Sequence, residues 1–203
     1  IIELGIKSPY IRGINFQPLA FFGRLPKHVT KENRITRTGI INLIEEQTNS
    51  MIQKSDFLPL PCHPQRVAFT YLYKNNNQFR PLTRGLDTTE YVPYIKNTFN
   101  FTPEDFFNSS LMGGCCSLST NSLKIIKNLQ KIFPKSYFYK SASDKSKYVE
   151  EHLFRISITS FVDAYNFDLK SMKKECVHII TPDLKKIPFS AMNMIHRQTY
   201  AQH

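Results

Sequence analysis

The segments Asp163-Ala-Tyr-Asn-Phe-Asp168, Lys174-Glu-Cys-Val-His178 and Ile187-Pro-Phe-Ser-Ala-Met-Asn193 lie close together near the end of the chain, and their reading decides the fold. The residues around Cys176 and His178 read as a strand, and side chains two apart on a strand point to one face. Cys176 and His178 are therefore placed to share a ligand. The same pattern also describes a plain hairpin with a buried thiol and a surface imidazole, because free cysteine is among the most buried residue types. A turn at Thr181-Pro-Asp-Leu184 follows, and then an apolar return strand.

Upstream of these segments, residues 153–162 read as a strand and 168–174 as a short helix or turn. Residues 192–203 read as a tail. Residues 141–147 are polar and charged, the composition of a mobile linker. Residues 122–133 form an amphipathic helix, with Leu123, Ile125, Ile126, Leu129 and Ile132 apolar and three lysines opposite. Leu111-Met-Gly-Gly-Cys-Cys-Ser117 reads as a connection between helices, or as a ligand loop.

The first half opens with Gly13-Ile-Asn-Phe-Gln-Pro18, a strand closed by proline. Its alternate positions Asn15 and Gln17 are polar. One side of this strand therefore faces a cavity, or the strand is a half-exposed edge. Thr36 or Thr38 can cap the amphipathic helix that follows at 38–51. Asp56-Phe-Leu-Pro-Leu-Pro-Cys-His-Pro64 is a stiff loop, because each proline drives its predecessor to extended geometry. It presents Cys62 and His63. Residues 67–73 are a strong strand by β-branched and aromatic content. Asn75-Asn-Asn77 makes a hairpin turn, and 79–86 returns as the partner strand carrying Arg80 and Arg84. Short helices are expected at 91–99 and from Thr102-Pro-Glu-Asp.

Composition sets outer limits. With 203 residues, 41% hydrophobic and 21% charged, the chain is globular and long enough for a core without disulfides. The net charge of +11, from 27 Lys+Arg against 16 Asp+Glu, is spread along the chain rather than gathered into a patch. Nucleic acid is not the expected partner, since aromatic and basic residues do not interleave as a stacking platform requires. Four cysteines without a secreted framework fit reduced thiols in the cytoplasm. No apolar run is long enough to span a bilayer as a helix. No glycine-rich phosphate loop, HExxH, CxxC or GxSxG motif occurs. No catalytic motif is complete in these residues.

Several motifs in one order nonetheless resemble a known group. They are Gly13-Ile-Asn-Phe-Gln-Pro18 with Gly23-Arg24, Arg34-Ile-Thr36, Ile44-Glu-Glu-Gln-Thr48, Asp56-Phe-Leu-Pro-Leu-Pro-Cys62 and Thr70-Tyr-Leu72, followed by the three C-terminal segments and Arg197. This order is similar to the radical S-adenosylmethionine group that contains the archaeal tetraether lipid synthase and the pterin methylase. The resemblance is weakest over 97–148. It implies an α/β (α+β) chain: the last strand and helix of a partial radical-SAM barrel at 1–55, then a mixed α+β C-terminal region at 56–203. It implies S-adenosylmethionine and a 4Fe–4S cluster as cofactors, with Asn15 and Gln17 facing the barrel interior and Cys62, Cys176 and His178 as metal ligands. It also implies a small-molecule or lipid substrate, and radical methylation or carbon–carbon bond formation. The CxxxCxxC loop that would hold the radical-generating cluster is absent from these residues, so an N-terminal radical-SAM domain is expected in the same or another chain, and this part is expected to be inactive alone.

Two positions depart from the pattern. The group carries a second cysteine soon after the one matched by Cys62, where the loop here is shorter and Arg66 is the nearest position, and Ser190 stands where the group carries cysteine; soft iron sites require thiolates. Cys62 and Cys176 would need His63, His178, Cys115 or Cys116 to complete a site for zinc or a single iron. The alternative is a non-enzymatic basic accessory or binding module that keeps only the fold.

Overall fold

A computed structural model describes residues 1–22, 25–60, 63–75, 78–85 and 130–200. Its centre is β3 (Val67–Asn75), whose run of β-branched and aromatic residues suits a half-buried pleated surface. One edge of β3 pairs antiparallel with β5 (Leu153–Thr159), from Val67 opposite Thr159 to Tyr73 opposite Leu153. The other edge is shared by β2 (Leu58–Pro59) and β4 (Gln78–Pro81). β1 (Gly13–Phe16) completes the sheet by pairing parallel to β5, with Gly13 opposite Arg155 and Phe16 opposite Ile158. The order is β1-β5-β3-β2, with β4 also on β3. A separate two-stranded hairpin joins β6 (His178–Ile180) to β7 (Lys186–Pro188).

Alternation along β5 explains the main core. Phe154, Ile156 and Ile158 point to one face, where they meet Ile6, Ile44, Ile52, Phe57, Ala68 and Leu72. Ile156 and Ile158 are fully buried, and each such side chain contributes about 1.5–3 kcal/mol. The face is covered by α1 (Ile2–Lys7) and α2 (Arg37–Gln47). Thr36 caps α2 by accepting a hydrogen bond from the Gly39 amide at 3.1 Å. β1 lies so close to β5 that a Cβ on Gly13 would stand 2.5 Å from the Arg155 carbonyl oxygen, so no side chain fits there.

A second cluster forms around Tyr73, Ile132, Phe133, Tyr137 and Val149. It is built by α3 (Lys135–Phe138) and α4 (Ala142–His152). Here the structure corrects the linker reading of 141–147. Ser141 caps α4 by accepting from the Asp144 amide at 3.1 Å, and Val149 and Tyr148 dock the helix on Tyr73. Only the second half of this helix carries apolar anchors, so its start looks like a loop by composition.

Four other readings change. Residues 192–200 are not a tail but part of a continuous helical stretch: Phe189–Ala191, a π-helical segment Met192–His196, and Arg197–Tyr200. Ile187, Ala191 and Met192 pack there against Met172 of α5 (Leu169–Met172). The return strand is only Gln78–Pro81, Leu82–Gly85 is a 3-10 turn, and the turn expected at 75–77 falls mostly outside the described residues. Leu58–Pro59, read as loop, forms a two-residue strand. Cys176 lies in a bend ahead of β6, so the same-face argument for Cys176 and His178 does not hold. The helices expected at 91–99 and from Thr102, the Leu111–Ser117 segment and nearly all of 122–133 lie outside the described residues. The mixed α+β class stands, with a mixed sheet.

Candidate functional site

β1 and β5 are parallel, so both chains leave the sheet at the same edge. The start of α2 and the Gln65-Arg66 approach to β3 meet them there. The carboxyl edge of parallel strands is the usual place for ligands in such sheets. Two adjoining cavities open at this edge, and both are lined by Pro18, Leu19, Ala20 and Phe161.

The first cavity, of about 220 Å³, is polar. Its anchor is Asp163, which is 2% exposed. The carboxylate accepts two hydrogen bonds from Arg34, at 3.2 and 3.3 Å, and one each from the amides of Phe21, Tyr165 and Asn166. Burial alone would raise its pKa, but the Arg34 guanidinium and these amides outweigh that and hold it below the usual carboxylate range. The Asn166 side chain accepts in turn from the Asp163 amide. This closed loop fixes the segment after β5 against the segment after β1.

Arg37 and Arg66 line the same wall. Arg66 donates from Nε to the Ser171 hydroxyl at 3.1 Å and from its other nitrogens to the carbonyls of Phe161 and Asn166. Arg37 donates to the Pro64 carbonyl. Burial lowers the pKa of both below the usual arginine value. Arg66 also disfavours the charge on Arg37 and Arg34 that on Arg66, while Asp168, Asp163 and Glu175 favour the charge on Arg66 from a distance.

The second cavity, of about 370 Å³, is aromatic. Phe161 and Phe189 meet at 4.7 Å between ring centres, and Phe22 stands edge-on to Phe189 at 5.7 Å. Gln17, Asn193 and Arg197 add polar groups. The Asn193 amide nitrogen donates to the Phe189 carbonyl, which leaves its side-chain oxygen as an acceptor.

The residues singled out in the sequence fall in different places. Gln17 is exposed and lines the aromatic cavity. Asn15, on the edge strand β1, accepts hydrogen bonds from the hydroxyls of Ser157 and Thr159, at 3.0 and 3.2 Å. Cys62, Cys115, Cys116 and Gly23-Arg24 lie outside the described residues. Cys176 is half-buried, with its thiol 3.9 Å from the Lys174 carbonyl oxygen. His178 begins β6 at a half-buried position. His63, beside Cys62, is buried, and its Nε2 sits 2.9 Å from the Ser171 carbonyl oxygen, so that nitrogen carries the proton. Arg84 is held by the buried Asp56, and Arg80 lies over the Tyr73 ring.

Arg37, Asp163 and Phe161 were not singled out as site residues. Asp163 and Arg34 appeared only inside motifs, because pairing across 129 positions leaves no local signal.

The two departures from the thiolate pattern have defined partners. The Ser190 hydroxyl and amide both donate to the Glu175 carboxylate, and both residues are buried. Arg66 is bonded to Ser171 as described. Cys176 is the one cysteine among the described residues, and no group of three or more His, Cys, Asp or Glu there is placed to hold a metal. The described residues therefore do not fit a 4Fe–4S cluster, which takes thiolates.

The fold and this edge together define an α+β chain with a polar and an aromatic cavity side by side. No protein-family model matches the chain. It is similar to the 7,8-dihydro-6-hydroxymethylpterin dimethyltransferase of Methanocaldococcus jannaschii, with 32% identity over 221 aligned residues, covering 93% of this chain and 43% of that protein. The chain thus spans less than half the length of this curated relative. No helix among the described residues is long and apolar enough to cross a membrane.

Proposed function

We propose that the chain is the substrate-holding, C-terminal part of a methyltransferase of the radical S-adenosylmethionine type, and that its aromatic cavity takes a flat nitrogen heterocycle of the pterin class. The carrying observation is the cavity of Phe22, Phe161 and Phe189, edged by Gln17, Asn193 and Arg197, at the carboxyl edge of the parallel pair. Aromatic walls suit a planar ring, and the two amides and a guanidinium suit its ring nitrogens and oxo group. The name of the 32% identical relative supports the same substrate class. On this reading residues 1–55 contribute the last barrel strand and helix, 56–203 form the C-terminal region, and the radical-generating cluster is supplied from outside these residues. S-adenosylmethionine, when bound, would supply the methyl group or the radical. Gln17 would orient the ring against Phe161 and Phe189, and the aromatic walls would exclude water from it.

A second reading is favoured by Arg66 and by the Ser190–Glu175 pair. Hydrogen-bonded polar groups in place of thiolates fit an accessory module that keeps the fold and the crevice without metal.

The chain has no tryptophan, so the fluorescence of 6-hydroxymethylpterin can be followed without interference. Titration is expected to give saturable quenching, weakened about tenfold or more by Phe189→Ala, since stacking on one aromatic side chain is worth about 1–3 kcal/mol. Absence of saturable quenching in folded wild-type protein would remove the heterocycle reading and leave the accessory module.

A further inference from the structure

We propose that the polar cavity is an oxyanion site for a phosphate group carried by a small-molecule ligand, held by Arg37, Arg66, Thr38 and the first-turn amides of α2. The inference stands on this cavity's charges and holds whether or not the neighbouring cavity takes a pterin.

The first argument is charge. Arg34, Arg37 and Arg66 line the cavity with one carboxylate, Asp163. That carboxylate is already filled by Arg34 and three backbone amides. Among the described residues neither Arg37 nor Arg66 forms an ion pair, although both are drawn out of solvent. Asp168 and Glu175 act on Arg66 only at longer range, and Glu175 is bonded to Ser190. Both guanidiniums are partly desolvated, and Arg66 further disfavours the charge on Arg37, so an anion in the cavity would stabilise them.

The second argument is donor supply. A guanidinium has five N–H donors. Among the described residues Arg37 has one acceptor, the Pro64 carbonyl, and Arg66 has three, which leaves hydrogens on both for a ligand. Thr36 satisfies the Gly39 amide of α2, whereas the amides of Arg37 and Thr38, in the same first turn, have no acceptor within the helix. Thr38 lines the same cavity. Such a set of donors, on residues that line one cavity, matches the oxygens of a phosphate better than the two of a carboxylate.

The test uses the chain with inorganic phosphate and pyrophosphate, followed by isothermal titration at constant ionic strength, with succinate as the carboxylate arm. The expected result is one saturable site for phosphate or pyrophosphate, at least tenfold weaker in Arg37→Gln and several-fold weaker in Thr38→Val. Phe189→Ala should bind phosphate as the wild type does. Circular dichroism confirms that each variant is folded. No binding to the folded wild type overturns the proposal. So does binding that Arg37→Gln leaves unchanged, which would be a diffuse effect of the +11 charge. Tighter binding of succinate than of phosphate overturns the assignment to phosphate.

Discussion

Replacing Asp163 by alanine is expected to destabilise the protein by about 3–5 kcal/mol, the range for removing one partner of a buried ion pair. Its side chain is 3% exposed and that of Arg34 is 22% exposed. The loss leaves Arg34 without its carboxylate and three backbone amides without an acceptor. Asp163→Asn keeps the shape and one acceptor oxygen, and should lose less. The pH dependence follows from the lowered pKa of Asp163. A carboxylate whose folded pKa lies below its unfolded value, about 3.9, stabilises the fold above that value and loses the contribution as pH falls through the folded pKa. Urea unfolding from pH 7 downward should show wild-type stability falling below about pH 4, with part of that slope missing in Asp163→Asn. Equal slopes would show that Asp163 is not the carboxylate that stabilises the crevice.

The second large effect is expected at Glu175. Its carboxylate accepts from the amide and hydroxyl of Ser190, tying the helical stretch after β7 back to the residue before Cys176. Ser190 is fully buried, so Glu175→Ala strands two buried donors. Each costs about 1–3 kcal/mol when unsatisfied, and the expected total is about 2–4 kcal/mol. Ser190→Ala removes one donor and leaves the other in place, so it should cost less. A double-mutant cycle by urea unfolding should give a coupling of about 1 kcal/mol or more between the two. Additive losses would mean that the pair does not act as a unit.

Much of the sheet was legible in the sequence, because β3 and β5 carry dense β-branched and aromatic runs and β1 is closed by Pro18. The cap of α2 was legible as Thr36 or Thr38, because hydroxyl capping is local, and Thr36 is the one that caps. α4 was missed because its first half, Ala-Ser-Asp-Lys-Ser-Lys, has no apolar anchor, and Tyr148 and Val149 gain meaning only once Tyr73 lies beneath them. The helical stretch at 189–200 was missed in part because its Ile187, Ala191 and Met192 contacts reach back to Met172.

The site was less legible than the fold. Gln17 follows directly on β1 and lines a cavity. Arg34, Arg37, Arg66 and Asp163 come from three separate parts of the chain. Nothing in their local sequence distinguishes them from surface charge. Their convergence follows from the parallel pairing of β1 and β5, which sends residues 17–22 and 160–166 out at one edge. Cys176 and His178 were read as partners from a strand period, but the strand starts two residues too late for that period to apply.

The most direct test of the central claim is an amide-resolved nuclear magnetic resonance titration of the chain with 6-hydroxymethylpterin. Saturable shifts confined to Gln17, Leu19, Ala20, Phe22, Phe161, Phe189 and Asn193 are predicted. Shifts centred on the β6–β7 hairpin, or no shifts in protein with an unchanged folded spectrum, would contradict a heterocycle site at the carboxyl edge of β1 and β5.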